Sequence, residues 1–280
     1  MQKSHHHHFK PENPCFLAMV MAGLISSALL VASFLRGNVS STVFCTGGTR
    51  RPATVGDVTE LQLEAILHYA TSKVIPQQSI DEIRLSYDVL RSLSPCNFLV
   101  FGLGHDSLMW TSFNSRGTTL FLEEDPRWVQ TVLKDAPGLR ANTVNYRTKL
   151  SDADDLLSHY RNEPDCSPTK SFIRGNSKCK LALNMLQDEV YEKEWDIIMI
   201  DAPRGYFPEA PGRMAAIYSA AVMARNRKSP GVTHVYLHDV DRKVEKVYAE
   251  TFLCKKYLVK AVGRLWHFEI PPTTMNSEFC

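Results

Sequence analysis

The period of the apolar residues changes several times along this chain, and each change predicts an element. From residue 57 to 93 apolar residues recur every three or four positions, the spacing of helices with one packed face. Leu63, Ile66, Leu67, Ala70 and Val74 make the first stripe. Asp57 and Glu60 have capping spacing at its start, and Pro76 stops it. Ser79 and Glu82 form a second capping box, opening a helix over Ile80 to Leu93 with Leu85, Val89, Leu90 and Leu93 as its stripe.

At Asn97 the helical period disappears. Asn97-Phe-Leu-Val-Phe101 is a continuous β-type run that breaks into Gly102-Leu-Gly104, and Thr118-Thr-Leu-Phe-Leu122 is a second that ends in Glu123, Glu124 and Asp125. Trp195 to Asp201, apolar on both faces, and Thr233 to Leu237 repeat the pattern, as central parallel strands require. Thr143 to Tyr146 predicts a further strand. Helical stretches are expected over 126–133, 152–160, 181–191 and 211–225, and from a cap at Asp239 or Asp241 through Phe252. Residues 162–180 carry no period. Tyr257 to Val262 and Leu265 to Ile270, joined at Gly263, predict an antiparallel pair. The result is an α/β fold, a doubly wound, mostly parallel sheet with a late antiparallel strand pair.

Composition adds limits. Of 280 residues 44% are hydrophobic, ordinary for a globular chain, and a net charge of +2 gives no electrostatic case for nucleic acid. Residues 16–35 carry no charge, and a helix of that length at about 1.5 Å per residue would span a bilayer core. This predicts a short tail at 1–15, a transmembrane anchor at 16–35, a stem at 36–54, a catalytic domain at 55–272 and a C-terminal tail at 273–280. The His5–His8 run is assigned no function. Of seven cysteines, Cys166 and Cys179 flank the polar loop and are the candidate disulfide, with reduced buried thiols as the alternative.

The candidate chemistry falls at strand ends, where such sheets bind ligands. Gly102 and Gly104 let backbone approach a ligand, and Glu123, 19 positions beyond Gly104, can accept ribose hydroxyls; Glu124 is its neighbouring rival. No third glycine and no phosphate-type lysine follow, which favours adenosine without pyrophosphate, and S-adenosylmethionine fits. Asp106 either caps the next helix or meets the ligand. Asp201, His238 and Asp239 end adjacent strands. Asp201 and Asp239 could hold a divalent ion, or Asp201 or His238 could act as base; Asp239 could instead cap the following helix. Arg204, Arg213 and Tyr206 follow the Trp195 to Asp201 strand on the ligand side, where the arginines could pair with a carboxylate, and Tyr206, Trp110 and Trp266 carry flat faces on which a ligand ring could stack, with Trp266 otherwise core. Arg225 to Lys228 reads as a solvated helix end.

Pro95 to Trp110, Gly117 to Asp125, Asp201 to Tyr206, Glu209 to Ala216 and Gly263 to Phe268 together resemble the plant polysaccharide-biosynthesis methyltransferases, typified by glucuronoxylan 4-O-methyltransferase. The resemblance covers residues 55–272. It implies a class I S-adenosylmethionine-dependent methyltransferase fold and a single-pass type II Golgi membrane protein with a luminal catalytic domain. The implied reaction is 4-O-methylation of glucuronic acid on glucuronoxylan during cell-wall xylan biosynthesis. Three other readings stay open: an arabinogalactan acceptor, a non-catalytic scaffold of a wall-polysaccharide synthesis complex, and a nicotinamide-dependent sugar oxidoreductase.

Overall fold

The structure, a computed structural model, describes residues 59–170, 172–273 and 278–280. Residues Gly56–Cys280 form one compact unit. The expected anchor at 16–35 lies outside the described residues, and among those described no helix is long and apolar enough to cross a membrane.

Seven strands form one sheet in the order β3-β2-β1-β4-β5-β7-β6. They are β1 (Asn97–Phe101), β2 (Thr118–Glu123), β3 (Ala141–Thr143), β4 (Ile197–Ile200), β5 (Thr233–Leu237), β6 (Leu258–Val262) and β7 (Leu265–Ile270). The first five are parallel; β7 runs antiparallel to both β5 and β6. The main helices are α1 (Glu60–Thr71), α2 (Ile80–Leu93), α3 (Ser107–Phe113), α4 (Pro126–Asp135), α5 (Ala153–Asn162), α6 (Asp188–Glu192), α7 (Met214–Arg225) and α8 (Lys243–Tyr248).

The strands read as unbroken apolar runs because alternate residues feed two cores. Leu99, Phe101, Leu120, Ile198, Ile200, Val235 and Leu237 point to the face covered by α5 and α7. Phe98, Val100, Phe121, Ile197, Met199 and Tyr236 point to the face covered by α2 and α3. Helix α7 is alanine-rich because nearly its whole circumference is buried, and small residues let it approach the sheet. Gly117 ends the α3–β2 turn. A Cβ there would lie 2.2 Å from Asn114 Oδ1 and 2.4 Å from the Cys96 carbonyl, and Asn114 is the clasp joining the starts of β1 and β2. Strand order reverses between β1 and β4, which opens a crevice beyond their carboxyl ends.

Several expectations are corrected. Helix α1 begins at Glu60 with Thr59 and Gln62 as its capping box; Asp57 lies outside the described residues. Its predicted apolar face points to solvent, with Leu63, Ile66 and Leu67 all exposed, while Leu61, Ala65 and Tyr69 face inward. Polar contacts to α3 select that face. Tyr69 Oη donates to the His105 carbonyl and accepts from Met109 N, and Gln62 Nε2 donates to the Ser112 carbonyl. Strand β3 ends where Thr143 to Tyr146 was expected to begin. The stretch 181–191 is helical only from Asp188.

The C-terminus is not a free tail. Phe279 is buried, and Cys280 forms a disulfide with Cys254 beside the expected Cys166–Cys179 bond. Arg225, expected in solvent, is buried and donates to the carbonyls of Phe252 and Phe279. Closing a loop with a sequence separation of 26 is worth about 3 kcal/mol in the chain-entropy picture. Cys280→Ser is therefore expected to lower Tm by roughly 6–12 °C under non-reducing conditions. An unchanged Tm would mean that Phe279 and Arg225 alone hold this end.

Candidate active site

The crevice is a cleft of about 620 Å³ lined by Gly102, Leu103, Gly104, Glu123, Asp201, Ala202 and Trp128, among others. One wall is a backbone cradle. Gly102 has φ of 123°, a region that favours glycine, and a Cβ there would stand 3.1 Å from the Ala202 Cβ. Glu123 ends β2 opposite it. Its two carboxylate oxygens accept from Leu103 N at 3.0 Å and Asp125 N at 3.1 Å. Burial, and then the neighbouring Glu124, push its pKa up to about 7. Glu124 also lines the cleft but is held by Arg204, whose N and Nε donate to it at 3.2 and 3.0 Å. The choice between the two acids therefore falls on Glu123. Trp128, which sequence reasoning missed, closes the wall by donating from Nε1 to the Leu103 carbonyl at 2.6 Å. Its place one turn into the helix after the acidic strand was the available signal.

Asp106 is neither cap nor free ligand group. It lines the cleft, makes no cap hydrogen bond, and accepts from Trp110 Nε1 at 2.8 Å. Burial and the nearby Asp201 raise its pKa. Trp110 is thereby fixed in the core against Phe98 and cannot stack on a sugar. Trp266 packs against the other core cluster.

The opposite wall carries the charged groups. Asp201 Oδ1 pairs with His238 Nδ1 at 2.8 Å and accepts from Arg213 Nη2 at 3.3 Å; its Oδ2 accepts only from Gln78 Nε2, at 3.2 Å. Burial would raise the Asp201 pKa, but the hydrogen bond from His238 and the charge of Arg213 outweigh it and hold the carboxyl well below its usual range. Asp201 thus favours its charged form, and it lines the cleft. His238 is fully buried behind it, with Nε2 3.7 Å from Glu82 Oε1, and does not line the cleft. Its contact with Asp201 is therefore made from behind the cleft wall, not from the cleft as expected of a catalytic group.

Asp239 is the anchor of an arginine cluster. Its oxygens pair with Arg213 at 2.8 Å, Arg242 at 2.9 Å and Arg264 at 2.6 Å. It does not cap α8, whose N-cap is Arg242 without a side-chain bond. Arg213, expected to bind an acidic sugar, is spent inside the protein on the carbonyls of His238 and Asp201 and on both carboxylates. These contacts bear on the expected divalent ion. Asp201, His238 and Asp239 do present donor atoms within 4.8 Å of one another. Yet guanidinium groups already neutralise both carboxylates and His238 Nδ1 is bonded to Asp201, so this donor set, as arranged, does not fit a resident ion. The groups that sequence missed here are Gln78, Glu82 and Arg264, brought in from distant segments, and Arg242, three residues beyond Asp239.

Arg204 and Tyr206, the expected acceptor-binding residues, are both exposed and line the cleft. His238→Asn is expected to lower kcat about 10²-fold by releasing Asp201, with cofactor affinity changed less than about twofold. Equal losses in both would show that His238 supports the whole pocket.

The profile of the family described as IRX15/IRX15L/GXM matches residues 81–268, which include Gly102, Glu123, Asp201, Arg204, His238 and Asp239. Arabinogalactan O-methyltransferase 2 of Arabidopsis thaliana is 60% identical over 263 residues, covering 93% of this chain and 90% of its own length. Glucuronoxylan 4-O-methyltransferase 2 of the same plant is 49% identical over 219 residues, covering 78% of this chain and 74% of its own. The chain belongs to the IRX15/IRX15L/GXM family. It is an O-methyltransferase of that family, and the family resemblance read from its motifs holds. A solved structure of a putative RNA methyltransferase from Pyrococcus horikoshii aligns over 77% of this chain and 98% of its own, at a TM-score of 0.41 and 9% identity, too distant to bear on function.

Proposed function

We propose that this family member transfers a methyl group from S-adenosylmethionine to a hydroxyl of glucuronic acid on arabinogalactan. The observation that carries the reading is the opposition of two differently held carboxylates across one cleft: Glu123 beside the bare backbone of Gly102, and Asp201 facing it. Glu123 and the Gly102–Gly104 backbone suit an adenosine ribose, and Trp128 supplies an apolar wall. When bound, S-adenosylmethionine supplies an electrophilic methyl on a sulfonium.

Asp201 Oδ2 is the base. A sugar hydroxyl is weakly acidic, and Asp201 is a weak base, so proton transfer cannot come first. As the hydroxyl oxygen forms its bond to the methyl carbon and the C–S bond breaks toward sulfur, that oxygen's proton becomes more acidic than any carboxylic acid. Asp201 then takes it downhill. Arg213, His238 and Gln78 hold the carboxylate on line, which is where most of the rate gain in such a displacement arises. Arg204 at the rim pairs with Glu124 at 3.0 Å and Asp125 at 3.8 Å, and the exposed remainder of its guanidinium is the group offered to the carboxylate of the uronic acid.

Identities of 60% and 59% to two arabinogalactan enzymes, against 44–52% to three glucuronoxylan enzymes, favour the arabinogalactan acceptor. Glucuronoxylan is the second reading, supported by those same relatives. The two disulfides suit an oxidising lumen, and the charge-free run 16–35 suits an anchor. Both support our proposal of a single-pass type II chain in the Golgi membrane, within reach of a wall-polysaccharide synthesis complex. Methyl transfer from labelled cofactor to arabinogalactan and to glucuronoxylan, run in parallel, tests the reading. Label on arabinogalactan glucuronic acid is expected to exceed that on xylan; the reverse ranking would move the assignment to xylan, and label on neither would remove it.

A further inference from the structure

A second group of donor atoms lies at the other end of β5, remote from the cleft. His234 is the second residue of β5, four positions before His238, or about 13 Å along the strand. It is paired in register with Glu269 on β7, while His267 stands opposite Tyr236 on the same face. His234 Nδ1 and His267 Nε2 are 3.0 Å apart, and His234 Nδ1 is 3.8 Å from Glu269 Oε1. All three donors lie within 4.8 Å of one another. We propose that His234, His267 and Glu269 form a binding site for a single divalent transition-metal ion of the zinc type, a clip between β5 and β7.

The geometry carries this. In a tetrahedral site with ligands about 2.0–2.1 Å from the ion, donor atoms stand roughly 3.3 Å apart. The observed 3.0 and 3.8 Å bracket that value. Two imidazoles and one carboxylate are a borderline donor set that suits zinc, cobalt or nickel better than calcium or magnesium. The site is also preorganised. Tyr236 stacks on the His267 ring at 4.3 Å with an interplanar angle of 11°, and both histidines sit on adjacent strands of a continuous sheet. The 3.0 Å contact is a hydrogen bond, so one of the two nitrogens carries a proton; an ion would take that proton's place, leaving each neutral ring with its N–H on the other nitrogen. Glu269 remains partly exposed, which leaves an entry path and a fourth position for water. Among the described residues no guanidinium pairs with Glu269, unlike the Asp201 and Asp239 carboxylates.

The test is metal stoichiometry on the full-length chain in detergent, stripped with chelator and dialysed against Zn²⁺ or Co²⁺. The His5–His8 run is common to every variant, so differences report on this site alone. His234→Gln and His267→Gln are each expected to bind one ion fewer than the parent and to lose the visible absorption of four-coordinate Co²⁺. Glu269→Gln, a near-isosteric change at a partly exposed position, is expected to weaken the same ion at least tenfold. Zn²⁺ at 100 times its Kd is expected to raise the parent's Tm by roughly 5–10 °C, and that of His267→Gln by less. Asp201→Asn is expected to keep the ion. Unchanged stoichiometry in all three site variants would reduce the pair to a hydrogen bond between two rings, and loss confined to Asp201→Asn would move the ion to the cleft; either overturns the proposal.

Discussion

Asp201→Asn is expected to lower kcat by about 10²–10⁴-fold, the usual contribution of a positioned proton acceptor, with little change in the affinity for S-adenosylmethionine. The residue lines the cleft with a carboxyl that His238 and Arg213 hold well below its usual range. The sign of its pH dependence follows. A depressed folded pKa keeps the group charged throughout the physiological range, so kcat should show no acid limb near neutrality from Asp201, and its contribution to stability is lost only as pH falls through that low value. Steady-state kinetics between pH 6 and 8 check both parts. An acid limb in that window that disappears in Asp201→Asn would show a far more basic carboxylate than this site can hold.

Glu123→Ala is expected to weaken S-adenosylmethionine binding by about 10²-fold or more, since it removes two hydrogen bonds to a charged acceptor, each worth roughly 1.5–3 kcal/mol. Its pH dependence runs the other way. Burial and Glu124 raise the Glu123 pKa to about 7, and the ionised form is the better acceptor for ribose hydroxyls. Affinity should therefore rise about tenfold between pH 6 and 8 in the parent and stay flat in Glu123→Gln. Calorimetric titration at three pH values measures it. A flat parent profile would mean that Glu123 is already ionised in the empty cleft.

Much of this was legible in the sequence because the strands have two buried faces. Runs such as Phe98 to Phe101 and Ile197 to Ile200 have no polar option, and the glycines and acids that end them could only lie on the ligand side. Helix α2 and strand β7 fall on their predicted residues for the same reason: strong local signals agreed with the packing. What failed was set by partners far away in the chain. Residues 181–187 have helical composition, but Arg147 takes the carbonyls of Cys179 and Ala182, and the Cys166–Cys179 bond pins the segment before a helix can start. Asp239 looked like a cap or a ligand because nothing local to it announces Arg213 and Arg264. Arg213 looked free for the same reason. Gln78 and Glu82 read as a loop end and a capping residue, and only the tertiary structure sets them against Asp201 and His238.

The two-carboxylate cleft can be tested most directly by a crystal structure with S-adenosylhomocysteine bound. The predicted result places both ribose hydroxyls on the Glu123 carboxylate, the adenosine against Gly102 to Gly104, and the sulfur directed toward Asp201. A ribose held by any other side chain, or a sulfur directed away from Asp201, would contradict the account.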